Sequence, residues 1–279
     1  MGTALAIMTN SGSLTAQNNL MKTTTAMNKS IGRLSSGLRV TSAADDAAGL
    51  AVSENMRAQL KGFQQASRNA NDGIAIVQTA EAAYQSISDT LVRMRELAVE
   101  AANDSISDTE RGFLNEEFTA LNTEIDRISN VTEFNGINLL DGTAGAGGTL
   151  TFQVGTRNSA NDQITVDLNA QAASNLGVDG SEVDVISNAQ AAISEIDTAL
   201  ESLNTDRAGL GATINSLSLS VNNLSATIEN YGNAVGNIRD TDIGAESAEF
   251  SKSQVLQQAG VAMLSQANAL PNLALRLLS

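Results

Sequence analysis

The residues in this sequence that could most readily form a binding site are two pairs of acidic side chains and one glycine-rich run. Asp45–Asp46 and Asp240–Asp242 could bind calcium, but neither has the ligand spacing of a calcium loop. We therefore expect both pairs to place negative charge at helix ends. The run Gly142–Gly148 lacks the Gly-Lys-Ser/Thr ending of a phosphate loop and does not join a strand to a helix. We interpret it as a flexible approach to a β-hairpin.

Several residue types that usually carry chemistry are missing. The 279 residues include no histidine, cysteine or tryptophan. Missing histidine removes the commonest general base and metal ligand, and missing cysteine removes thiol nucleophiles, disulfides and zinc thiolate sites. Carboxylate pairs for glycoside hydrolysis are compatible with the composition, but nothing fixes two of them in a pocket. We predict no catalytic, cofactor-binding or metal-binding residues, and an enzyme is a disfavoured class.

Charge and hydropathy limit the partners. Lys and Arg number 16 and Asp and Glu 31, a net charge of −15 that repels nucleic acids and anionic membranes. No run approaches about 18 consecutive apolar residues, so we expect no membrane insertion. The first basic residue is Lys22, and the apolar patch Ala4–Met8 is too short for the core of a signal peptide. This predicts a cytoplasmic location, or export by a route that reads no such signal.

A seven-residue repeat between Ile193 and Ile238 organises the chain. Its members recur at alternating steps of three and four, and Arg207 is the one charged member. Such an apolar seam needs a partner helix, and an ideal helix of this span would be about 70 Å long. Arg207 could be a paired charge or a buried switch, but we favour a side chain that reaches water or is covered by a neighbour. The members are Ile193, Ile196, Leu200, Leu203, Arg207, Leu210, Ile214, Leu217, Val221, Leu224, Ile228, Tyr231, Val235 and Ile238.

Two further helices are predicted in the first half of the chain. Residues 45–102 form one long helix whose apolar stripe changes phase at Ile87, which would rotate the seam or alter the supercoil. After a short break, Ser107 and Glu110 form a capping box that begins the next helix. The short break indicates an antiparallel helix pair.

The hydrophobic period changes to two between these helices and the long repeat. Apolar residues alternate with polar ones on both sides of the turn-rich loop Gly155–Gln163, which predicts a β-hairpin within about residues 134–170. Two strands alone are marginally stable, so the hairpin must lie on the helices. The alternating residues are Leu150, Phe152, Val154, Ile164, Val166 and Leu168.

Weaker heptad patterns at both ends predict that the terminal helices pair. The expected fold is mainly α, an elongated antiparallel coiled-coil or helical-bundle rod with a small β-hairpin region. We predict a terminal coiled-coil domain from residues 1–44 and 240–279, and a helical rod domain from residues 45–239. The residues expected at subunit interfaces are Leu20, Met27, Ile31, Leu34, Leu38, Leu256, Met263, Leu270 and Leu277.

Short motifs recur through the chain from its first predicted helix to its last. They are Arg33-Leu34-Ser35-Ser36-Gly37-Leu38-Arg39, Asp45-Asp46-Ala47-Ala48-Gly49, Ala66-Ser67-Arg68-Asn69-Ala70-Asn71-Asp72-Gly73, Arg93-Met94-Arg95-Glu96-Leu97, Glu124-Ile125-Asp126-Arg127, Phe134-Asn135-Gly136, Leu256-Gln257-Gln258-Ala259-Gly260 and Gln266-Ala267-Asn268. These motifs, in this order and over nearly the whole chain, resemble those of bacterial flagellins. Larger flagellins insert outer domains after the hairpin, but here only Asn169–Val183 separates the last strand from the long helix. The resemblance therefore implies a short form without variable outer domains.

The resemblance implies a structural subunit that self-assembles into the helical filament of the bacterial flagellum, used for motility. Such subunits are secreted through the flagellum's own export channel, without a cleaved signal peptide. The implied partners are other copies of the subunit, a flagellar export chaperone, and hook-associated and cap proteins. Two alternatives stay open: a cell-surface adhesin or polysaccharide receptor with the flagellin fold, and a hook–filament junction protein.

The resemblance also implies a surface patch. Arg93, Leu97 and Glu100 are spaced at i, i+4 and i+7, which places them on one helix face. In some flagellins the positions matching Arg93 and Leu97, with Glu117 on the adjacent helix, form the patch that vertebrate innate immune receptors recognise. The same surface also makes filament contacts in that family.

Overall fold

Helices make up most of the chain in the computed structural model, as predicted. The structure describes the backbone of residues 9–278 and the side chains of residues 9–269. A short 3-10 helix, Ala160–Asp162, precedes the last strand. The remaining elements are α1 (Ser11–Ser36), α2 (Ala47–Ala101), α3 (Asp108–Val131), β1 (Glu133–Phe134), β2 (Ile137–Asn138), β3 (Thr149–Gln153), β4 (Gln163–Asp167), α4 (Ala173–Leu176), α5 (Ile186–Arg239) and α6 (Ile243–Leu278).

The chain divides into two compact units. The terminal unit combines the chain up to Ala58 with the chain from Asn230 onward, and the central unit is Gln59–Glu229. These units differ from the predicted domains, 1–44 with 240–279 and 45–239, because α2 and α5 each contribute residues to both.

In the central unit, α5 buries one heptad position along its length, as the repeat predicts. The alternate members Ile193, Leu200 and Ile214 are half-buried and pack on the same core. Burial of one apolar position per two turns is the geometry of a helix that packs lengthwise on a partner. The buried residues of this row, seven apart, are Ala189, Ile196, Leu203, Leu210, Leu217 and Leu224; Ala192 and Ala199 are also buried beside it.

The partner face on α2 consists of two parallel rows of buried residues, each with a spacing of seven. One row contains Val77, Tyr84 and Leu91, and the other contains Gly73, Ala80 and Ile87. The predicted phase change at Ile87 is wrong because both rows run through this point without a break. The pattern of large apolar residues missed the second row, since its earlier members are small.

The central helices are antiparallel, as the short break predicts. Arg93 of α2 forms an ion pair with Glu117 of α3 at 2.8 Å, and the Arg111 guanidinium donates to the carbonyl of Ala101 at 2.8 Å. Residue numbers therefore fall along α3 as they rise along α2. The predicted capping box is present, because Ser107 accepts from the Glu110 N–H and the Glu110 carboxylate accepts from the Ser107 N–H.

The predicted hairpin is formed by β3 and β4, which pair antiparallel with Leu150 opposite Val166. It lies on α2, where a Cβ added to Gly73 would come within 3.1 Å of the Phe152 ring. The glycine-rich approach ends at Gly148, whose positive φ of 91° and closeness to the Leu168 carbonyl leave no room for a side chain. Its carbonyl accepts from the Leu168 N–H at 2.7 Å.

A second, very short hairpin precedes this one and was not predicted. β1 and β2 pair through a two-residue turn, Asn135-Gly136, in which both residues have positive φ. An Asn-Gly pair is the commonest signal for such a turn, so the sequence did contain the necessary information.

In the terminal unit, α1 and α6 form the predicted antiparallel pair. Ser13 Oγ donates to Asn268 Oδ1 at 2.7 Å near one end, and Arg33 pairs with Glu246 at 3.4 Å near the other. Small residues permit the close approach: Leu20 of α1 would lie 3.2 Å from a Cβ added to Gly260.

Serine residues take the buried positions between these two helices. Among the described residues, Ser13, Ser30 and Ser253 occupy the most buried positions, while Leu20, Met27 and Leu34 are half-buried. Of the residues expected at subunit interfaces, Ile31, Leu256 and Met263 are 46%, 50% and 66% exposed in the single chain. Serine can be buried where two helices approach closely, and a pattern of apolar residues does not detect it. Leu38 follows α1 and forms an antiparallel bridge with Asp240, and the side chains of Leu270 and Leu277 lie outside the described residues.

Candidate interaction surfaces

The connector between α1 and α2 is held by Asp45. Its carboxylate pairs with Lys29 at 2.7 Å and accepts from the hydroxyl groups of Thr41 and Ser42 at 3.0 and 3.2 Å. The Lys29 ammonium, followed by the Thr41 hydroxyl, holds the pKa of the Asp45 carboxyl well below its usual range. The connector is therefore fixed to α1 by charge.

Two of the other acidic residues proposed for helix ends, Asp46 and Asp242, cap helices. The Asp46 carboxylate accepts from the Gly49 N–H at 2.8 Å in the first turn of α2. The Asp242 carboxylate accepts from the N–H groups of Gly244 and Ala245 at 2.8 and 3.1 Å, where α6 begins. Both satisfy helix N–H groups that would otherwise lack partners.

The end of α5 is capped by the residues that follow α1. Gly37 ends α1 in the left-handed conformation. Two residues later, Arg39 donates to the carbonyls of Ile238 and Asn237 at 2.8 and 3.3 Å. A cation is favourable at this position because the last carbonyl groups of a helix carry partial negative charge. The Thr241 N–H also donates to the Gly37 carbonyl, at 2.9 Å.

Large apolar side chains of the terminal unit face outward. Val40 is the one buried hydrophobic residue among its described residues, whereas nine large ones are exposed. A groove between α1 and α6 is lined by Leu20, Leu256 and Met263 together with small residues. Exposed apolar surface of this extent indicates a face that binds another molecule. The nine are Leu14, Met21, Ile31, Val52, Ile243, Val255, Leu256, Val261 and Met263.

The net charge is concentrated in the central unit. Residues 59–229 contain 8 basic and 24 acidic residues, a net charge of −16, whereas the terminal unit contains 8 and 7, a net charge of +1. The apolar face thus lies on the part of the chain with almost no net charge. Like copies can approach each other there without the repulsion that the central unit would cause.

The structure separates the members of the predicted receptor patch. Arg93 and Glu117 are half-exposed and ion-paired, and Arg93 also pairs with Glu96 at 2.9 Å. Leu97 is only 1% exposed and belongs to the core, so its side chain is not available to a partner. Positions i and i+4 of a helix differ by about 40° in direction, and here the border of the core passes between them.

Arg207 is a paired charge, so the interpretation that we favoured is wrong. Its guanidinium donates to the Glu81 carboxylate and to Gln85 of α2, the latter at 2.7 Å. Beside it, the buried Gln171 amide donates to the Tyr84 hydroxyl at 3.1 Å and to Asp206 at 2.8 Å. Burial, and then the negative charge of Asp206, raises the pKa of the Tyr84 phenol above its usual range.

Metal and membrane sites were also sought in the described part of the chain. No group of three or more acidic side chains there is arranged to hold a metal ion. Within the same residues, no helix combines the length and apolar character that a bilayer crossing requires.

Comparison with known proteins identifies relatives along the whole chain. The family model described as bacterial flagellin N-terminal helical region matches residues 7–145, and that of the C-terminal helical region matches residues 193–278. A flagellin of Halalkalibacterium halodurans is 39% identical over 252 residues, covering 90% of this chain and 91% of that protein. A flagellin of Bacillus subtilis is 40% identical over 300 residues, covering 96% and 98%.

A solved structure resembles the fold. A protein from Vibrio parahaemolyticus described as flagellar hook-associated has a TM-score of 0.58 at 17% identity, covering 70% of this chain and 100% of that one. At this identity the likeness concerns the fold alone.

Paired terminal helices, a helical central unit with a small hairpin and an open apolar face together define a structural, helical protein. The family matches at both ends and the two relatives make the assignment specific: the chain belongs to the flagellin family. It is a short form, and it is a structural subunit that self-assembles into the filament of the bacterial flagellum.

Proposed function

We propose that the exposed apolar face of α1 and α6 is the surface through which copies join in the filament. The observation that carries this proposal is the inversion in the terminal unit, where large apolar residues are exposed and serines are buried. Packing against neighbouring copies would remove that surface from water and stabilise the assembly, at about 25 cal/mol per Å² of apolar area. The near-neutral charge of this unit supports the same role.

Within this face we assign contacts between copies to Ile31, Leu256 and Met263, which are exposed in the single chain. Leu20 borders the same groove. Met27, Leu34 and Leu38 are half-buried inside the terminal unit and support the face from within. Leu270 and Leu277, which lie outside the described side chains, would extend the interface along α6.

Met263→Asp and Ile31→Asp test this proposal. Each places a charge where an apolar contact is expected, so seeded elongation should stop while the helical content of the free subunit is unchanged. Met263→Leu and Ile31→Val are the matched controls, because they keep an apolar side chain and should elongate like the original chain. Electron microscopy of seeded samples would show the result. Normal filaments from both aspartate variants would refute the assignment.

The family suggests which other proteins the subunit binds. We propose that the subunit leaves the cell through the flagellum's own export channel, escorted by a flagellar export chaperone, and meets hook-associated and cap proteins at the filament ends. Its role is assembly and not catalysis, and the absence of histidine and cysteine supports this view. Co-purification of the subunit with the chaperone of a flagellated host would test the first step.

A receptor contact, if the chain makes one, would use Arg93 and Glu117 without Leu97. Both charged groups are half-exposed, whereas Leu97 is covered by the core. We propose that vertebrate innate immune receptors would meet the Arg93–Glu117 ion pair on this surface. Arg93→Ala and Glu117→Ala should then weaken receptor activation by the purified subunit, with Glu133→Ala, an exposed acidic residue on β1, as the control. Equal activation by all variants would exclude the patch.

A further inference from the structure

Methionine is the side chain in this protein that peroxide oxidises most readily. The chain contains seven methionines and two tyrosines, but no cysteine, tryptophan or histidine. Peroxide therefore has no thiol to react with first, and the thioether sulfur is its main target.

The methionines differ sharply in exposure. Met94 is fully buried in the central core, and Met27 and Met56 are half-buried. Met21 on α1 is 61% exposed and Met263 on α6 is 66% exposed. Met1 and Met8 lie outside the described residues.

The two exposed methionines lie on α1 and α6, the helices to which assembly is assigned above. Met263 lines the groove between α1 and α6 with Leu20 and Leu256. Met21 follows Leu20 on α1 and lines a neighbouring depression with Asn18, Lys22 and Thr25. Both side chains are thus open to solvent in the free subunit, and they would be covered once neighbouring copies pack on these helices.

We propose that Met21 and Met263 are oxidation sites through which peroxide stops the free subunit from assembling. This inference rests on the proposed function, because the effect requires that both residues lie between copies. Hydrogen peroxide transfers one oxygen atom to the sulfur, its O–O bond breaks, and water leaves. The sulfur loses two electrons to the peroxide and becomes a sulfoxide.

Oxidation to the sulfoxide makes an apolar part of the assembly surface polar, which should weaken packing between copies. A flexible apolar side chain becomes polar, and its new oxygen accepts hydrogen bonds from water. Packing another copy on this face would remove that water and leave the oxygen without a donor. Residues already covered by neighbours would be shielded, so an existing filament resists the oxidant that blocks a free subunit.

The experiment treats the full-length free subunit with hydrogen peroxide, removes the peroxide and adds filament seeds. Peptide mass spectrometry locates each added oxygen, and light scattering and electron microscopy follow elongation. Met21 and Met263 should oxidise on the order of tenfold faster than Met94, and elongation should be lost. Treatment with both methionine sulfoxide reductases should restore it, because these enzymes reverse the modification.

The control is the Met21→Leu/Met263→Leu variant, which keeps apolar side chains of similar size. It should elongate both before and after peroxide. The inference is overturned if this variant loses elongation after peroxide as the original chain does, or if the oxidised original chain elongates normally. The Met263→Asp and Ile31→Asp tests separate the two proposals. Normal elongation by both variants refutes the interface itself, whereas failure of both, together with normal elongation of the oxidised subunit, refutes only the oxidation site.

Discussion

Arg207 of α5 donates two hydrogen bonds to one carboxylate oxygen of Glu81 on α2, from Nε at 2.9 Å and from Nη2 at 2.8 Å. This pair is the polar interruption of an otherwise apolar heptad seam. A uniform seam could pack equally well after a shift of seven residues, and a polar position that needs its own partner removes that freedom. The pair therefore fixes which residues of the two helices face each other.

Removing one member of this pair should lower the free energy of unfolding more than removing both. Arg207→Leu leaves the half-buried Glu81 carboxylate without its partner, and we expect a loss of about 1–3 kcal/mol in the free energy of unfolding. The double variant Glu81→Leu/Arg207→Leu replaces the pair by an apolar contact and should be close to the original chain in stability. Denaturant unfolding of the free subunit would measure both, and a double variant as unstable as the single one would contradict this reasoning.

Leu210 tests the placement of the seam itself. It is 1% exposed, so Leu210→Ala should destabilise the central unit by about 2–5 kcal/mol. Leu219, on the same helix, is 70% exposed, and Leu219→Ala should change stability by no more than about 0.5 kcal/mol. Thermal unfolding followed by circular dichroism compares the two. Equal midpoints for the two variants would mean that the burial pattern of α5 is not as described.

The buried face of a helix could be predicted from the sequence best where large apolar residues form that face. From Ile196 onward, the main buried row of α5 consists of leucine and isoleucine, and its position was correct because these large apolar residues form the pattern. On α2 the pattern failed at Gly73 and Ala80, which are buried but too small to appear as hydrophobic positions. The same cause hid the seam between the terminal helices, where Ser30 and Ser253 take the buried positions.

Contacts between helices were beyond the reach of the sequence for a different reason. A repeat in one helix shows which face is buried, but not which residue of the partner lies opposite. The Arg207–Glu81 pair depends on that alignment. The sequence therefore showed a charged residue in an apolar repeat but not which residue pairs with it. Leu97 was expected in the receptor patch because of the family resemblance. The structure buries it, since the border of the core passes between Leu97 and Arg93 on the same helix.

Filament growth should depend on salt because the central unit has a net charge of −16. Charges on neighbouring copies repel over the Debye length, about 30 Å at 0.01 M salt and about 8 Å at 0.15 M. We expect seeded elongation to be slower at the lower concentration, by a factor on the order of ten. Elongation rates measured by light scattering would test this, with sucrose of equal osmolality as the control.

A variant with reduced charge gives the salt experiment a matched comparison. Glu100 and Asp104 are exposed acidic residues of the central unit. Glu100→Gln/Asp104→Asn lowers the negative charge by two without touching the terminal helices, so its elongation should depend less on salt. If both chains elongate at rates that do not change with salt, repulsion between central units plays no part in assembly.

Acid should weaken the connector between α1 and α2 through Asp45. Its folded pKa lies below the ordinary value of about 3.9, so the ionised form binds Lys29 more strongly in the fold than in the unfolded chain. For a lowered pKa, the stabilising contribution is complete above the ordinary value and is lost as pH falls towards the folded one. Asp45→Asn should therefore lower the thermal midpoint at pH 7, and the difference from the original chain should narrow below about pH 4. Asp104→Asn, at an exposed carboxylate of the central unit, is the charge-matched control, and a difference for Asp45→Asn that stays constant from pH 7 to pH 2 would show that the Lys29 pair does not hold the connector.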